Sequence, residues 1–321
     1  MKRLKDINSQ VTRNIQETTE RQGNNERGGK GLIKHQIQEV ISKNAGHLSG
    51  GSKHNLECNL HALGKYLKDH FPNLQLSGLG KRHIDSYVDH LKQNGIVVRS
   101  IINTISHLRF LAKGIDKANI VFRTNAEYGF ERIARGGFTN RAVALSPGQL
   151  ESLGARHHSF QTAAEMQRLF GLRLEEAGRF IAWQADRGGY LALAGSWCKG
   201  GRPRNVPLNK PEQRQFIEML KRFKGKGESV AGKDFEKIVA WKRAYHDAMK
   251  SIGTKSHSIR HATIQQWYRE GTGYEPPICG GPRIKEMPQE VRETVRAFLF
   301  QLAESIGHGR IDVLNFYLGK M

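Results

Sequence analysis

Four stretches between residues 32 and 117 repeat apolar side chains every three or four positions, and this spacing constrains the fold more than any other feature of the sequence. Such spacing lines the apolar side chains along one face of an α-helix, and that face needs a partner to cover it. The apolar positions are Ile37, Val40 and Ile41; Leu56, Leu60, Leu63 and Leu67; Ile84, Val88 and Leu91; and Ile101, Ile105, Leu108 and Leu111. Turn-forming residues separate the stretches. The sequence therefore predicts a compact helical domain over residues 32–125.

A second domain is predicted over residues 145–321, after a basic, glycine-rich linker at residues 126–144. Two short apolar runs, residues 190–194 and 205–208, flank a Gly200-Gly201 turn. Runs of this length around a glycine turn predict a small antiparallel sheet. The segments on either side of it have helical spacing. The expected fold class is therefore mainly α with a small antiparallel β-sheet.

The charge balance indicates a polyanionic partner. Lysine and arginine total 51 against 30 acidic residues, which gives a formal net charge of +21 and a pI near 10.1. A positive excess of this size is typical of proteins that bind nucleic acid. Residues 1–31 are polar and predict a flexible basic arm. The candidate DNA contacts elsewhere are Lys81, Arg82, Arg99, Arg202 and Arg204.

The sequence has no apolar run of 18 residues and begins with a polar, charged segment, so we expect no membrane span and no signal peptide. The three cysteines, Cys58, Cys198 and Cys279, lie far apart in the sequence. This spacing matches neither a disulfide framework nor a paired metal motif. Both observations favour a reducing cytoplasmic location.

Two short segments carry candidate site residues with a basic and an acidic side chain. Arg173 and Glu176 are three positions apart on a predicted helix, so the carboxylate can orient the guanidinium. Taken alone, such a pair is more often a solvated surface ion pair. Lys199 lies at the tip of the predicted hairpin, where a mobile ammonium could protonate a leaving oxygen. The alternative for Lys199 is a basic turn that only touches phosphate.

Helical spacing also places His257, Arg260 and His261 on one face. Three cations facing one way repel each other unless an anion compensates, and a bound phosphate would do so. We therefore favour a functional role for this group over a structural one.

The C-terminal region combines a histidine and a tyrosine nine residues apart. His308 lies between Gly307 and Gly309, and Tyr317 follows. Nine residues of unbroken helix would put the two side chains on opposite faces, so we predict a break at the glycines and a short final helix anchored by Ile311, Leu314 and Leu318. A tyrosine phenol can attack phosphorus while cations hold the non-bridging oxygens. The alternative is a tyrosine packed in the core.

Two other motifs resemble ligand-binding sites, but we expect neither to bind a ligand. The pair His157-His158 has no cysteine or carboxylate at ligand spacing in the sequence, so we expect no metal there. Residues 227–233 have the spacing of a phosphate-binding P-loop, but Asp234 stands where a serine or threonine is required. We therefore interpret this segment as a solvated basic loop and expect no nucleotide, metal or other cofactor.

In this order, the motifs resemble those of the tyrosine recombinases, the phage-integrase family of site-specific DNA strand-exchange enzymes. The resemblance covers most of residues 32–321. Gly171-Leu172-Arg173 and Glu176 resemble the family's first-arginine box, and Lys199 resembles its hairpin lysine. His257-x-x-Arg260-His261 resembles the second box, and Gly307-His308 together with Tyr317 resembles the last box. It implies a helical, SAM-like core-binding domain followed by a mixed α/β catalytic domain.

The resemblance also implies a mechanism and partners. Tyr317 would form a 3′-phosphotyrosyl link to DNA, with Lys199 as general acid, Arg173 and Arg260 as the phosphate clamp, His308 as a further donor, and His257 assisting proton transfer, while Glu176 and His261 support them. No metal or ATP is implied. The implied partners are a specific site in double-stranded DNA, three further protomers in a tetramer on two duplexes, and an accessory directionality factor. A nucleoid-associated, prokaryotic protein of a mobile genetic element would fit.

The sequence departs from the family pattern in two places. Arg260 precedes His308 by 48 residues, roughly twice the family interval, and the excess falls in a Pro- and Gly-rich loop predicted at residues 271–288. Few residues follow Tyr317, whereas many relatives have a further helix there. Two other functions remain open: a DNA-binding accessory or architectural protein without cleavage activity, and DNA relaxation of the type IB topoisomerase kind.

Overall fold

A computed structural model of the protein describes residues 32–130 and 138–321. The predicted N-terminal arm, and residues 131–137 of the predicted linker, lie outside the described residues. Contacts within the chain divide the described residues into two compact units, 32–130 and 138–321. Each unit has its own apolar core.

The first unit consists mainly of four helices, and the predicted helical spacing is confirmed in each. They are α1 (Leu32–Asn44), α2 (Gly50–His70), α3 (Lys81–Gln93) and α4 (Val98–Gly114). Side chains from all four predicted stripes are fully buried against one another, among them Ile37, Leu60, Ile84 and Ile105. Burying a side chain of this size contributes about 1.5–3 kcal/mol. The amphipathic stripes therefore account for the assembly of this unit.

The first unit continues beyond the residue 125 at which the sequence places its end. A 3₁₀ turn at Ala126–Tyr128 follows a turn at Ala118–Ile120. The buried Tyr128 hydroxyl accepts a hydrogen bond of 3.2 Å from the backbone N–H of Phe122, and Phe130 packs against the same core. These contacts attach residues 126–130 to the helical unit.

The second unit contains nine described helices and a two-stranded antiparallel sheet. The helices are α5 (Pro147–Arg156), α6 (His158–Phe170), α7 (Leu174–Arg179), α8 (Ala182–Ala185), α9 (Pro211–Phe223), α10 (Ile238–Ser251), α11 (Ser256–Thr272), α12 (Gln289–Ser305) and α13 (Asn315–Leu318). The strands are β1 (Tyr190–Leu193) and β2 (Arg204–Pro207), with Leu191 opposite Val206 and Leu193 opposite Arg204. The mainly helical fold with a small antiparallel sheet is thus confirmed.

The end of the second unit folds as the glycines predict. Helix α12 ends at Ser305, and Gly307 follows with a φ of +74°, in the left-handed region that favours glycine. After a 3₁₀ turn at Ile311–Leu314, α13 carries Tyr317. Leu314 and Leu318 are fully buried in a cluster with residues of α11 and α12. The predicted 271–288 loop starts later than expected, because Gly271 and Thr272 still belong to α11.

Over residues 32–130 and 138–321, none of the helices has both the length and the apolar character needed to cross a bilayer.

Candidate active site

A buried carboxylate organises the first part of the site. Helix α6 ends at Phe170, Gly171 follows with a φ of +58°, and the chain turns so that Arg173 precedes the first residue of α7. One turn into α7, the Glu176 carboxylate accepts hydrogen bonds from the Arg173 backbone N–H (2.8 Å) and from Arg173 Nη1 (2.7 Å). Burial alone would raise the pKa of Glu176, but the guanidiniums of Arg204 and Arg173 outweigh it and lower the pKa to about 2. Glu176 is therefore an anion that fixes the orientation of Arg173.

Arg204 is the second partner of the Glu176 carboxylate, and the sequence did not predict this pairing. Its Nη2 donates to Glu176 Oε2 at 2.7 Å, and its Nη1 donates to the carbonyl oxygen of Ser305. The side chain is only 5% exposed, so it does not present its charge at the surface as a DNA contact. The prediction of Arg204 as a DNA contact therefore conflicts with its position. Arg204 instead ties β2 to α7 and to the end of α12.

Arg260 is fully buried and lies between the end of α6 and the C-terminal region. Its Nη1 donates to the Gly171 carbonyl oxygen, its Nη2 donates to the Ile306 carbonyl oxygen at 2.6 Å, and its Nε donates to the Tyr317 hydroxyl at 3.3 Å. Burial lowers the pKa of Arg260 to about 10, which still leaves the group charged at neutral pH. The guanidinium thus brings a permanent positive charge to the phenol oxygen.

His308 and Gly307 bring the last turn of the chain against Arg173. Arg173 Nη2 donates to His308 Nε2 at 3.2 Å and to the Gly307 carbonyl oxygen at 3.3 Å. A guanidinium has no acceptor, so His308 Nε2 must accept and carries no proton here. A Cβ atom on Gly307 would lie 2.7 Å from Arg204 Cδ and 3.0 Å from Arg173 Nη1. Residue 307 must therefore be glycine, both for its backbone angle and for the space that the arginines occupy.

The structure brings Tyr317 to the predicted residues of α11 and to His308. The Tyr317 ring centroid lies 4.6 Å from that of His261, 5.8 Å from that of His257 and 6.3 Å from that of His308. The side chain is 4% exposed, but its hydroxyl meets Arg260 rather than an apolar interior. Predicted residues of α11, together with His308, thus surround the phenol, and Arg173 joins this group through His308.

The three histidines of the cluster are neutral at neutral pH. Burial is the main cause that lowers the pKa of each to about 4, and nearby positive charge contributes, from Arg260 at His257 and from Arg173 at His308. The sequence-based view of His257, Arg260 and His261 as three clustered cations is therefore corrected. Of these three residues, Arg260 alone carries a positive charge, and a neutral imidazole can accept a proton.

These pKa values predict a pH-dependent stability. An unfolded histidine has a pKa of 6.5, so as the pH falls below that value the unfolded state takes up protons that the folded state accepts only near pH 4. We expect the melting temperature to fall as the pH is lowered from 7 to 5, where Glu176 stays ionised. His261→Asn should flatten this slope in thermal melts. An unchanged slope in that variant would show that His261 is not held neutral.

Lys199 and Arg202 line a cleft beside the cluster. The cleft has a volume of about 910 Å³, and Arg173 and His308 form part of its wall. Lys199 is exposed on the connection between β1 and β2, as predicted for the hairpin tip, and Gly200 (φ +78°) and Gly201 (φ +71°) follow it in the turn. Tyr317, Arg260 and His257 are not among the residues that line the cleft.

The predicted contacts of the first unit occupy the starts of two helices. Lys81 and Arg82 begin α3, and Arg99 is the second residue of α4. Arg82 and Arg99 are exposed, whereas the Lys81 ammonium is bonded to Asp85 and lies 3.6 Å from the Phe122 ring centroid. Arg82 and Arg99 are thus free of carboxylate partners among the described residues.

The His157-His158 pair does meet a carboxylate, contrary to the expectation from spacing. Asp234, from the segment with P-loop spacing, has Oδ2 3.2 Å from His157 Nε2. Because His157 caps α6 in an extended conformation, the two imidazoles stack at 4.5 Å instead of pointing apart. However, the Lys224 ammonium lies 3.4 Å from His158 Nε2, and its charge opposes a metal cation at this position.

Comparison with solved structures identifies the fold. An integrase of the Tn1549 transposon in complex with circular intermediate DNA has 14% sequence identity and a TM-score of 0.55, over 89% of this chain and 95% of that one. A lambda integrase dimer bound to a COC′ core site has 13% identity and a TM-score of 0.58, over 88% of this chain and 75% of that one. This chain has the fold of the tyrosine recombinases. No model of a protein family matches the sequence, and no curated protein matches it.

Proposed function

We propose that the protein is a site-specific DNA recombinase that cleaves and rejoins DNA through a 3′-phosphotyrosyl intermediate. The observation that carries the proposal is the 3.3 Å contact between Arg260 Nε and the Tyr317 hydroxyl, inside a group that also contains Arg173 and His308. A protein that only binds DNA needs positive charge, but it does not need a phenol held against a buried guanidinium. The fold shared with DNA-bound integrases supports the same function.

The chemistry follows from the charges and protonation states of the site. The scissile phosphate would take the place of the Tyr317 hydroxyl at Arg260, because that guanidinium is otherwise covered, and Arg173 would hold a second non-bridging oxygen. The Tyr317 oxygen then forms a bond to phosphorus while the bond from phosphorus to the 5′ oxygen breaks. A neutral imidazole, for which His257 is our candidate, accepts the phenol proton. Lys199 protonates the departing 5′ oxygen.

Rejoining reverses these steps with a 5′-hydroxyl from another strand. The phosphotyrosyl bond conserves the energy of the broken phosphodiester, so the residues of this site suffice without ATP. Lys199 is exposed on a glycine turn at the cleft edge, a position from which its ammonium can approach the 5′ oxygen. His261 packs against the Tyr317 ring and supports its position.

The partner follows from the same proposal. We infer that a specific site in double-stranded DNA binds to both units, with Arg82 and Arg99 as phosphate contacts of the first unit and Arg202 at the cleft of the second. A lambda integrase tetramer bound to a Holliday junction has a TM-score of 0.51 to this chain, with 14% identity. Assembly of four protomers on two duplexes is therefore our proposal for the active form.

A covalent trapping experiment tests the proposed function. The protein is incubated with duplexes from its own genomic neighbourhood that carry a nick next to the cleavage position, so that the released fragment diffuses away. We expect a protein–DNA species that survives denaturation, with the DNA attached at Tyr317 in a peptide map. Attachment at another residue, or none on any duplex that the protein binds specifically, would overturn the proposal.

A further inference from the structure

We propose that Gln265, with Asn140 and the turn at Pro277–Cys279, forms a lock that positions the Tyr317 helix within the same chain. The inference rests on the proposed function, since it concerns how the nucleophile of that reaction is held. It gives a role to the loop between α11 and α12 and assigns Gln265 as a positioning residue.

The side-chain amide of Gln265 connects the three parts of the lock. It is 2% exposed. Its Nε2 donates to the Tyr317 backbone carbonyl oxygen at 2.9 Å and to Asn140 Oδ1 at 3.0 Å, and its Oε1 accepts from Cys279 Sγ at 3.4 Å. Both N–H groups and the oxygen of the amide thus have partners. A buried amide with all its hydrogen bonds made has one preferred orientation.

The position of Gln265 on α11 makes these bonds relevant to the reacting atoms. It follows Arg260 and His261 on the same helix, by five and four residues. Helix α11 therefore makes two hydrogen bonds to Tyr317, through Arg260 at the hydroxyl and through Gln265 at the backbone carbonyl. Two attachments from one rigid helix define the distance and the angle between the phenol and the guanidinium.

The loop between the two helices supports α13 from the other side. Gly319 follows α13 with a φ of +89°, and a Cβ atom there would lie 2.7 Å from the Ile278 backbone nitrogen. Asn140 Nδ2 also donates to Cys279 Sγ at 3.5 Å. The turn at Pro277–Cys279 thus contacts both the backbone after Tyr317 and the amide that holds Tyr317. This contact supports α13 from within the same chain.

Loss of the lock should slow the chemical step. The reacting atoms must be aligned within a fraction of an ångström, and a misplacement of about 1 Å can slow a reaction by about a hundredfold. If Gln265 only filled space in the core, its replacement would lower stability without a specific effect on this rate. The two roles are therefore separable by experiment.

The test uses Gln265→Met, which keeps the length of the side chain and removes its hydrogen bonds. We expect the rate of adduct formation at saturating DNA to fall by about ten- to a hundredfold, while the DNA concentration that gives half the maximal rate stays unchanged. The matched control is Gln266→Met, since Gln266 is exposed and its side chain, among the residues that the structure describes, bonds only to Glu270, at 2.9 Å. It should react like the unchanged protein. Asn140→Ala, at an exposed position, should give a smaller fall of the same kind.

A second measurement needs no catalysis. In DNA-free protein, Gln265→Met should speed backbone hydrogen exchange in residues 315–321, and Gln266→Met should not. If Gln265→Met forms the adduct and exchanges its backbone hydrogens at the same rates as the wild-type protein, the inference is overturned while the proposed function stays intact. If the wild-type protein forms no adduct but hydrogen exchange is still faster in Gln265→Met, the proposed function is overturned and the lock is retained.

Discussion

Tyr317→Phe is expected to reduce covalent attachment to DNA to background and to leave DNA affinity unchanged. The substitution removes one oxygen, the only atom of this side chain able to form a bond to phosphorus. It leaves the ring, which packs against His261 and His257, and it leaves the charges of Arg173 and Arg260 that attract phosphate. Attachment is measured by the denaturation-resistant species on a nicked duplex, and affinity by titration of the same duplex.

The control for this variant is Tyr274→Phe, because Tyr274 packs against the same apolar cluster as Tyr317 but is not one of the predicted site residues. It should form the adduct at the unchanged rate. The loss of the hydrogen bond from Arg260 Nε to the Tyr317 hydroxyl should destabilise Tyr317→Phe by about 1.5–3 kcal/mol, so a folded variant is expected. Adduct formation by Tyr317→Phe would remove this residue from the mechanism.

Local patterns predicted most of the fold. Helices α1 to α4 follow from apolar spacing within single segments, and the 190–194 and 205–208 runs lie within a residue of strands β1 and β2. The break between His308 and Tyr317 also has a local cause, the left-handed conformation at Gly307. Such features depend on neighbouring residues, which a sequence displays directly.

Features that depend on distant residues were missed or mistaken. Arg204 pairs with Glu176, 28 residues away, although its neighbours in the sequence suggest an exposed basic turn. One signal did exist: in a strand, side chains alternate between faces, so an inward Val206 implies an inward Arg204. Asp234 contacts His157 although the two residues are too far apart in the sequence for a ligand-spacing rule to pair them. The protonation of the histidines likewise depends on burial, which becomes known only with the fold.

Glu176→Gln is expected to destabilise the protein by about 3–5 kcal/mol, the usual cost of removing one partner from a buried ion pair. The carboxylate is the counter-ion of two guanidiniums, Arg173 and Arg204, and its side chain is 1% exposed. Glutamine has nearly the same shape as glutamate but no charge. Its NH₂ group is a donor, so it cannot accept the hydrogen bond that one of the guanidiniums now donates to the carboxylate. Arg204, at 5% exposure, would keep a buried charge without a carboxylate.

The neighbouring residue supplies the control, because Glu175→Gln removes a carboxylate from the same helix. Glu175 is 43% exposed and pairs with Arg179 and Lys242, so its replacement should cost less than about 1 kcal/mol. Unfolding in denaturant measures both variants. The stabilisation from Glu176 should be present above pH 4.5, the pKa of an unfolded glutamate, and should be lost as the pH falls toward 2. Equal stability losses in the two variants would show that Glu176 does not hold the arginines in place, and Arg173 would then need another support to face the phosphate.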